Sequence, residues 1–338
     1  MKTVLLLFGG ASSEHEVSIA SAKNVARAIP STEYTTLYGY IDRHGDWWLV
    51  DDVDENPVTH GHAIQLDFDA KTLKVGDEPL TVDVVFPCLH GKNGEDGTIQ
   101  SVLQDIHVPY VGCGVEASQN SMNKIASKQV ANEHSATVVP YEVYTKGDAI
   151  PRYDELANKL SDKLFVKPSR AGSSVGAHKA TNQVELEAAI ADALLHDDDV
   201  LIEAALDPRE LEVAVLGNGA DAKASPVGEI VPEGEFYSYE SKYNPESKSA
   251  VITPADIPDD IAEEIKKQAL EVYAALGCEG LSRVDFFLDK QTGKLYFNEI
   301  NTMPGFTNIS MYPKLWETAG LSNEELMDQL LKLAMARK

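Results

Sequence analysis

Residues 280–307 read Gly-Leu-Ser-Arg-Val-Asp-Phe-Phe-Leu-Asp-Lys-Gln-Thr-Gly-Lys-Leu-Tyr-Phe-Asn-Glu-Ile-Asn-Thr-Met-Pro-Gly-Phe-Thr. Two apolar runs, 284–288 and 295–300, flank a polar stretch that ends in Gly293. That pattern predicts a β-hairpin with the glycine in its turn. Side chains alternate along a strand, so Glu299 and Asn301 share a face. Asp285 stands at the matching end of the partner strand and meets them across an ordinary register. Two carboxylates and an amide oxygen on rigid strands make a hard-oxygen pocket, which suits Mg²⁺ carrying a nucleotide's phosphates. Arg283 places a cation beside it.

An edge hairpin with solvated charges is the plainer reading. Three features oppose it. Asp285 interrupts an apolar run, Asn-Glu-Ile-Asn ends a strand rather than filling a loop, and Met-Pro-Gly fixes the turn that follows and brings backbone N–H groups close. The run Arg-Val-Asp-Phe…Asn-Glu-Ile-Asn-Thr-Met-Pro-Gly-Phe-Thr resembles the last motif of the ATP-grasp ligases, and within them the D-alanine–D-alanine ligase family. The resemblance runs over nearly the whole chain. It implies an α/β fold, α+β in the C-terminal half: an N-terminal Rossmann-like domain (1–114), then a two-domain ATP-grasp fold divided into 115–205 and 206–338. The last domain would carry the metal site and a lid loop.

A chain of 338 residues is expected to form two or three domains with a sizeable core. Its net charge of −25 excludes a nucleic-acid surface and makes each lysine near a candidate nucleotide site informative. Cys88, Cys113 and Cys278 have neither metal spacing nor a disulfide framework, so buried thiols in a reducing cytoplasm are expected. The first residues lack a signal-peptide pattern, and no run approaches transmembrane length.

Residues 4–8 form a continuous apolar run, followed by Gly-Gly-Ala-Ser-Ser and a helical pattern over 18–29. Strand, glycine turn, helix opens a doubly wound α/β domain, whose ligands sit beyond the strand's carboxyl end. The glycines form neither a dinucleotide fingerprint nor a P-loop. Glu14-His15-Glu16-Val17-Ser18 reads first as a capping segment. It also matches the family's first signature, which implies that Glu16 anchors the ammonium of the first D-alanine. A second buried strand, 82–87, leads into a glycine-rich loop at 89–97. A lone loop histidine is ordinarily structural, but this loop resembles the family's His-Gly-x-x-Gly-Glu-Asp-Gly motif and implies that His90 contacts substrate.

In the middle domain, Asn123 replaces the family's usual Asp at a helix start, a change expected to preserve capping. Lys124 could be a solvated surface lysine. The resemblance makes it a phosphate contact. The strand 164–168 ends in the small-residue loop 169–176, whose backbone N–H groups can wrap phosphate oxygens beside Lys167. A flexible surface turn is the alternative. By resemblance Lys167, Ser173 and Ser174 bind ATP, Ser173 also orients Glu16, and Glu203 and Leu206 contact adenine.

In the last domain, 209–216 alternates as a half-buried strand. The resemblance assigns the ribose to Glu210, with Glu212 as the neighbouring alternative. Residues 236–244 are aromatic and charged, which suits a lid. Lys242 would reach phosphate or carboxylate there, and Tyr243 would bond with Glu16 and Ser173. Tyrosine rather than phenylalanine at 243 favours D-alanine over D-lactate as second substrate. The loop does not resemble that of vancomycin-resistance ligases. Residues 261–276 form an amphipathic helix. Ser310 and Met311 match positions that hold the second substrate's carboxylate, and the Gly305 N–H, with Arg283, would stabilise an oxyanion.

The resemblance thus implies ATP-dependent formation of D-alanyl-D-alanine through an acyl phosphate, for peptidoglycan precursors. It also implies two Mg²⁺ or Mn²⁺ ions on Asp285, Glu299 and Asn301, a homodimer, a cytoplasmic location, and no nucleic-acid or membrane partner. A D-alanine–D-lactate ligase and a catalytically silent nucleotide sensor are the alternatives. Another ATP-grasp ligase is opposed by the Glu-His-Glu-Val-Ser and lid signatures.

Overall fold

The computed structural model describes residues 1–53, 61–134, 136–232 and 250–337. Lys242 and Tyr243, and with them the lid, lie outside the described residues.

The chain opens with β1 (Lys2–Gly9), α1 (His15–Ala28) and β2 (Tyr34–Ile41). Val4 to Phe8 are all fully buried. That explains the uninterrupted apolar run: a parallel strand covered on both faces has no solvent side to alternate with. Strands β3 (Trp47–Val50), β4 (His62–Asp67), β5 (Thr72–Val75), β6 (Glu78–Leu80) and β7 (Val84–Pro87) complete a seven-stranded sheet in the order β6-β5-β4-β3-β2-β1-β7. Only β2, β1 and β7 run parallel; β3 to β6 add an antiparallel meander. The helix α2 (Thr98–Asp105) follows the glycine-rich loop.

Next come α3 (Val115–Met122) and α4 (Lys124–Glu133), then a four-stranded sheet. Its strands are β8 (Tyr141–Thr145), β9 (Leu164–Pro168), β10 (His178–Ala180) and β11 (Asp199–Ala204), ordered β10-β9-β11-β8. Helices α5 (Tyr153–Lys159) and α6 (Gln183–Ala193) lie between them in sequence, and α6 covers one face with Leu186, Ala189, Ile190 and Ala193. The third sheet has β12 (Pro208–Leu216), β13 (Lys223–Val231), β14 (Ala250–Ile252), β15 (Leu281–Asp289) and β16 (Leu295–Asn301), ordered β14-β13-β12-β15-β16. On one face α7 (Asp259–Ala275) packs Ile265, Ala269, Val272 and Tyr273 against Phe286 and Phe297. The other face meets α8 (Met311–Thr318) and α9 (Asn323–Ala336), whose Tyr312, Leu315, Leu330 and Leu331 share one core with Val4, Phe8 and Phe86.

Packing divides the chain differently from a cut at 114 and 205. Cys113, Ala117, Ala131 and Ala136 join the core of the third sheet. Helices α3 and α4 therefore belong with that sheet, although they precede the four-stranded one in sequence. The terminal helix α9 likewise bridges the third and first sheets. Domain edges drawn from sequence order miss such returns, because a helix buries its apolar stripe against whichever face is open.

Candidate active site

From its turn the hairpin pairs Leu288 with Leu295 and Phe286 with Phe297, and a bulge then shifts the register between Phe286 and Asp285. Asp285 pairs with Glu299 directly across β15 and β16, and Arg283 pairs with Asn301. Gly293 turns the hairpin at φ 68°, a left-handed conformation that costs glycine little. Its N–H bonds to the Asp289 carbonyl at 2.9 Å. Asp285 accepts from both Arg283 Nε (2.8 Å) and Nη2 (2.7 Å), and from Asn301 Nδ2 at 3.0 Å. Glu299 lies 3.1 Å from Lys124 Nζ, and Arg283 Nε lies 3.1 Å from Glu212. The carboxylates are thus held among cations on two rigid strands. Burial alone would lower the Arg283 guanidinium, but Asp285 and Glu212 prevail and hold it above its ordinary value.

Between the second and third sheets lies a deep cleft. Lys124, Lys167, Glu203, Glu210, Asp285 and Glu299 give it a charged floor, and Phe165, Leu206 and Phe287 give it an apolar wall. The phosphate-loop candidate lies along it, with Ser173 and Ser174 both at positive φ (51° and 59°). Asn123 anchors the loop's base. Its side chain caps α4 through the N–H groups of Ile125 (3.1 Å) and Ala126 (3.2 Å), and also accepts from Ser169 Oγ at 2.8 Å. The Asp-to-Asn departure therefore preserves the cap. Lys124 Nζ reaches the Ala171 carbonyl at 2.7 Å, so α4 holds both the loop and the hairpin.

A second, adjoining pocket is lined by Glu14, His90, Glu95, Ser173, Arg283, Asn301, Gly305, Ser310 and Met311. Here the sequence reading requires one correction. Glu16 faces away from the pocket: its side chain is 70% exposed and pairs with Arg43 at 2.7 Å. The carboxylate that enters the pocket is Glu14, which is buried and accepts a short hydrogen bond from Ser173 Oγ. Glu14 is the N-cap residue of α1 and Glu16 lies in its first turn, so the two side chains leave the backbone in different directions. Gly91 and Gly172 flank Glu14, and a Cβ on Gly91 would stand 2.4 Å from Glu14 Oε2. Neighbouring glycines were the one available signal for Glu14, but they lie far away in sequence.

His90 is buried and joins the first domain to the last. Its Nδ1 donates to the Met303 carbonyl at 3.1 Å, and its Nε2 meets Ser21 Oγ at 2.9 Å. Ser21 Oγ in turn accepts the Phe306 N–H at 3.1 Å. Burial pulls the imidazole down, but Cys88 and Glu95 beside it prevail and push it up to about 10. Burial, first of all, raises the Glu95 carboxyl; Glu14 adds to this and His90 opposes it. The sequence reading left Glu95 unassigned. Ser310 Oγ accepts the Thr307 N–H at 3.0 Å just ahead of α8, and Met311 packs on Gly228 of β13.

Three comparisons with known proteins bear on this arrangement. A model described as D-ala D-ala ligase N-terminus matches residues 3–113, and one described as D-ala D-ala ligase C-terminus matches residues 130–332. The chain belongs to the D-ala D-ala ligase family. Among curated members, the D-alanine–D-alanine ligase of Acetivibrio thermocellus is 42% identical over 364 residues, covering 99% of this chain and 96% of that one. The enzyme of that name from Clostridium acetobutylicum is 43% identical over 356 residues, covering 99% and 98%. Among solved structures, the D-alanine-D-alanine ligase from Coxiella burnetii superposes with a TM-score of 0.86 at 34% identity, covering 99% and 95%. VanG D-Ala:D-Ser ligase from Enterococcus faecalis gives 0.90 at 33%, covering 98% and 99%. The second and third sheets are accordingly the two halves of an ATP-grasp fold.

Two acids of β12 line the cleft. Glu212 is buried and committed to Arg283, whereas Glu210 stands one pleat further out in the same cleft. The Glu203 side chain is also committed, to Lys167 at 2.6 Å and to Lys128 at 2.8 Å. Glu203 and Leu206 both line the cleft. Lys128 escaped the sequence reading, although it follows Lys124 by one helical turn.

Proposed function

We infer that this cleft joins two D-alanine molecules at the expense of ATP, producing D-alanyl-D-alanine, ADP and phosphate for peptidoglycan precursors. Full-length similarity to curated D-alanine–D-alanine ligases supports the activity and the use of ATP. The observation that carries the reading is the contact of Ser173 with Glu14. It joins the phosphate loop of one domain to a carboxylate of another, at the boundary between the two pockets.

Glu14, not Glu16, is the acid suited to the first substrate's ammonium, because it is buried in the pocket with its charge directed inward. With the ammonium held there, that substrate's carboxylate attacks the γ-phosphorus of ATP. A P–O bond forms, the bond to the bridging oxygen breaks, and ADP leaves. Lys124, Lys167 and Ser174 border the phosphates, and such transfer depends chiefly on positioning and charge stabilisation. The second D-alanine's amine then attacks the acyl carbon. The tetrahedral oxyanion faces Arg283 and the Gly305 N–H, and its collapse expels phosphate as the amine loses a proton. The start of α8, at Ser310 and Met311, lines this pocket and is suited to receive the second carboxylate.

Asp285, Glu299 and Asn301 fit Mg²⁺ or Mn²⁺: all three offer oxygen, and the two carboxylates are paired across one hairpin. Bound there with ATP, the cation would neutralise phosphate charge. Dimerisation and a cytoplasmic location belong to this same proposal. Among the described residues no helix is long and apolar enough to cross a membrane.

The test is ADP release with D-alanine alone and with D-lactate or D-serine added, separating the products. D-alanyl-D-alanine as the main product in every mixture supports the reading. Depsipeptide or a D-serine product as the main one overturns the acceptor assignment. ADP release that does not depend on D-alanine overturns the ligase reading as a whole.

A further inference from the structure

Lys128 occupies a position that no step of the reaction explains. It lies on α4, one turn after Lys124, and its side chain is fully buried. Lys124 lines the ATP cleft, but Lys128 does not; it stands behind the wall. Its ammonium lies 2.8 Å from Glu203 Oε1, while Lys167 Nζ lies 2.6 Å from the other oxygen, Oε2. One buried carboxylate thus holds two lysines, one facing the nucleotide and one facing the core. Glu203 is only 4% exposed at its side chain, and Lys167 10%.

This arrangement has a consequence for Lys167. A buried carboxylate stripped of its only cation costs several kcal/mol. If Lys167 were the sole partner of Glu203, a phosphate could draw its ammonium away only against that penalty, and ATP would bind correspondingly weakly. We propose that Lys128 is a positioning residue: a second counter-ion that keeps Glu203 paired, so that Lys167 is free to turn its charge toward the phosphates of ATP. Lys128 acts through Glu203 and touches no substrate. Glu203 is held ionised for the same reason. Burial pushes its carboxyl up, but the two lysines together pull it below the ordinary range.

The inference rests on the ATP-dependent ligase reading, and the two can fail separately. The experiment measures kcat and the KM values for ATP and D-alanine, by ADP release, in the parent, K128M, K128Q and K128R, with folding checked by circular dichroism and thermal melting. The neutral variants leave Glu203 with Lys167 alone. Their KM for ATP should rise about tenfold or more, with the KM for D-alanine within about twofold of the parent. K128R keeps a cation behind Glu203 and should stay within about threefold for ATP. The contrast between K128Q and K128R carries the test if K128M does not fold. Parent-like ATP kinetics in folded K128Q would overturn the proposal. So would equal losses in K128Q and K128R, or an equal rise in the KM for D-alanine, since each marks a packing role. A parent that releases no ADP with D-alanine sinks the ligase reading instead.

Discussion

Glu14 and Glu16 make a sharp pair for mutagenesis, because they are two residues apart, share one side chain and differ only in where they point. Glu16 is 70% exposed and its partner Arg43 is 56% exposed. A surface pair of that kind contributes about 0–1 kcal/mol to stability and makes no contact with the pocket. E16Q should therefore leave kcat and the KM for D-alanine within about twofold of the parent. Glu14 is buried, bonded to Ser173 and enclosed by Gly91 and Gly172. E14Q keeps the shape and removes the charge. A charge-assisted hydrogen bond is worth about 1.5–3 kcal/mol, and an ammonium would lose its carboxylate partner as well. At about 1.4 kcal/mol per decade, kcat/KM for D-alanine should fall about ten- to several-hundredfold. The assay is steady-state ADP release against D-alanine concentration, with thermal melting to show that both variants fold. A larger loss in E16Q than in E14Q would refute the argument from burial.

Three further outcomes follow from the geometry. Removing divalent cations by chelation should abolish D-alanine-dependent ADP release, Mg²⁺ or Mn²⁺ should restore it, and E299Q should lower kcat at least about a hundredfold even in excess Mg²⁺; near-parent turnover in E299Q would take the metal away from the hairpin. In G91A, a Cβ 2.4 Å from Glu14 Oε2 at φ 70° must displace the carboxylate and strain the backbone by about 1–2 kcal/mol, so the KM for D-alanine should rise and the melting temperature fall; an unchanged KM would show that Glu14 does not hold the substrate. Glu203 is lowered in the fold relative to an unfolded value of about 4.3, so the folded state binds fewer protons there. Its stabilising effect is complete above that value and is lost as pH falls through the depressed one, so urea unfolding between pH 6 and pH 3 should be less pH-dependent in E203Q.

Much of this was legible because strand alternation is a strong local rule. The hairpin's period put Glu299 and Asn301 on one face and Asp285 at the matching end of the partner strand, while the bulge beside Asp285 that sets the pairing with Glu299 has no local signal. The buried run at residues 4–8 and the glycine turn after it likewise announced the parallel core. The reading failed where facing depends on a single turn of chain. Glu14 precedes the first regular turn of α1, so no periodicity reaches it, and the family signature contains two acids without saying which one turns inward. Glu203 misled for a related reason. Its strand position predicts that it lines a cleft, which it does, but not that two lysines from α4 and β9 claim its carboxylate. The meander β3 to β6 passed unread because its strands are short, mostly half-exposed and carry little apolar signal.

The His90 contacts show why the first domain is more than a support. Ser21 from α1 and His90 from the loop after β7 grip the turn at Met303 and Phe306, which leaves the metal hairpin. Gly305 and Ser310 follow directly in that turn. The donors expected to face the second substrate are thus held beside hydrogen bonds that cross from the first domain, His90 to the Met303 carbonyl and the Phe306 N–H to Ser21. Glu14 enters from that domain too, and Ser173 reaches it from the four-stranded one. A loosened first domain would therefore disturb both substrate positions while leaving the ATP cleft, lined by the other two sheets, their loops and α4, intact. H90A should accordingly raise the KM for D-alanine and lower kcat, with nucleotide affinity by calorimetry within about threefold of the parent. An equal loss of nucleotide affinity would mean that the three sheets move as one body, and that His90 supports the whole fold rather than the turn.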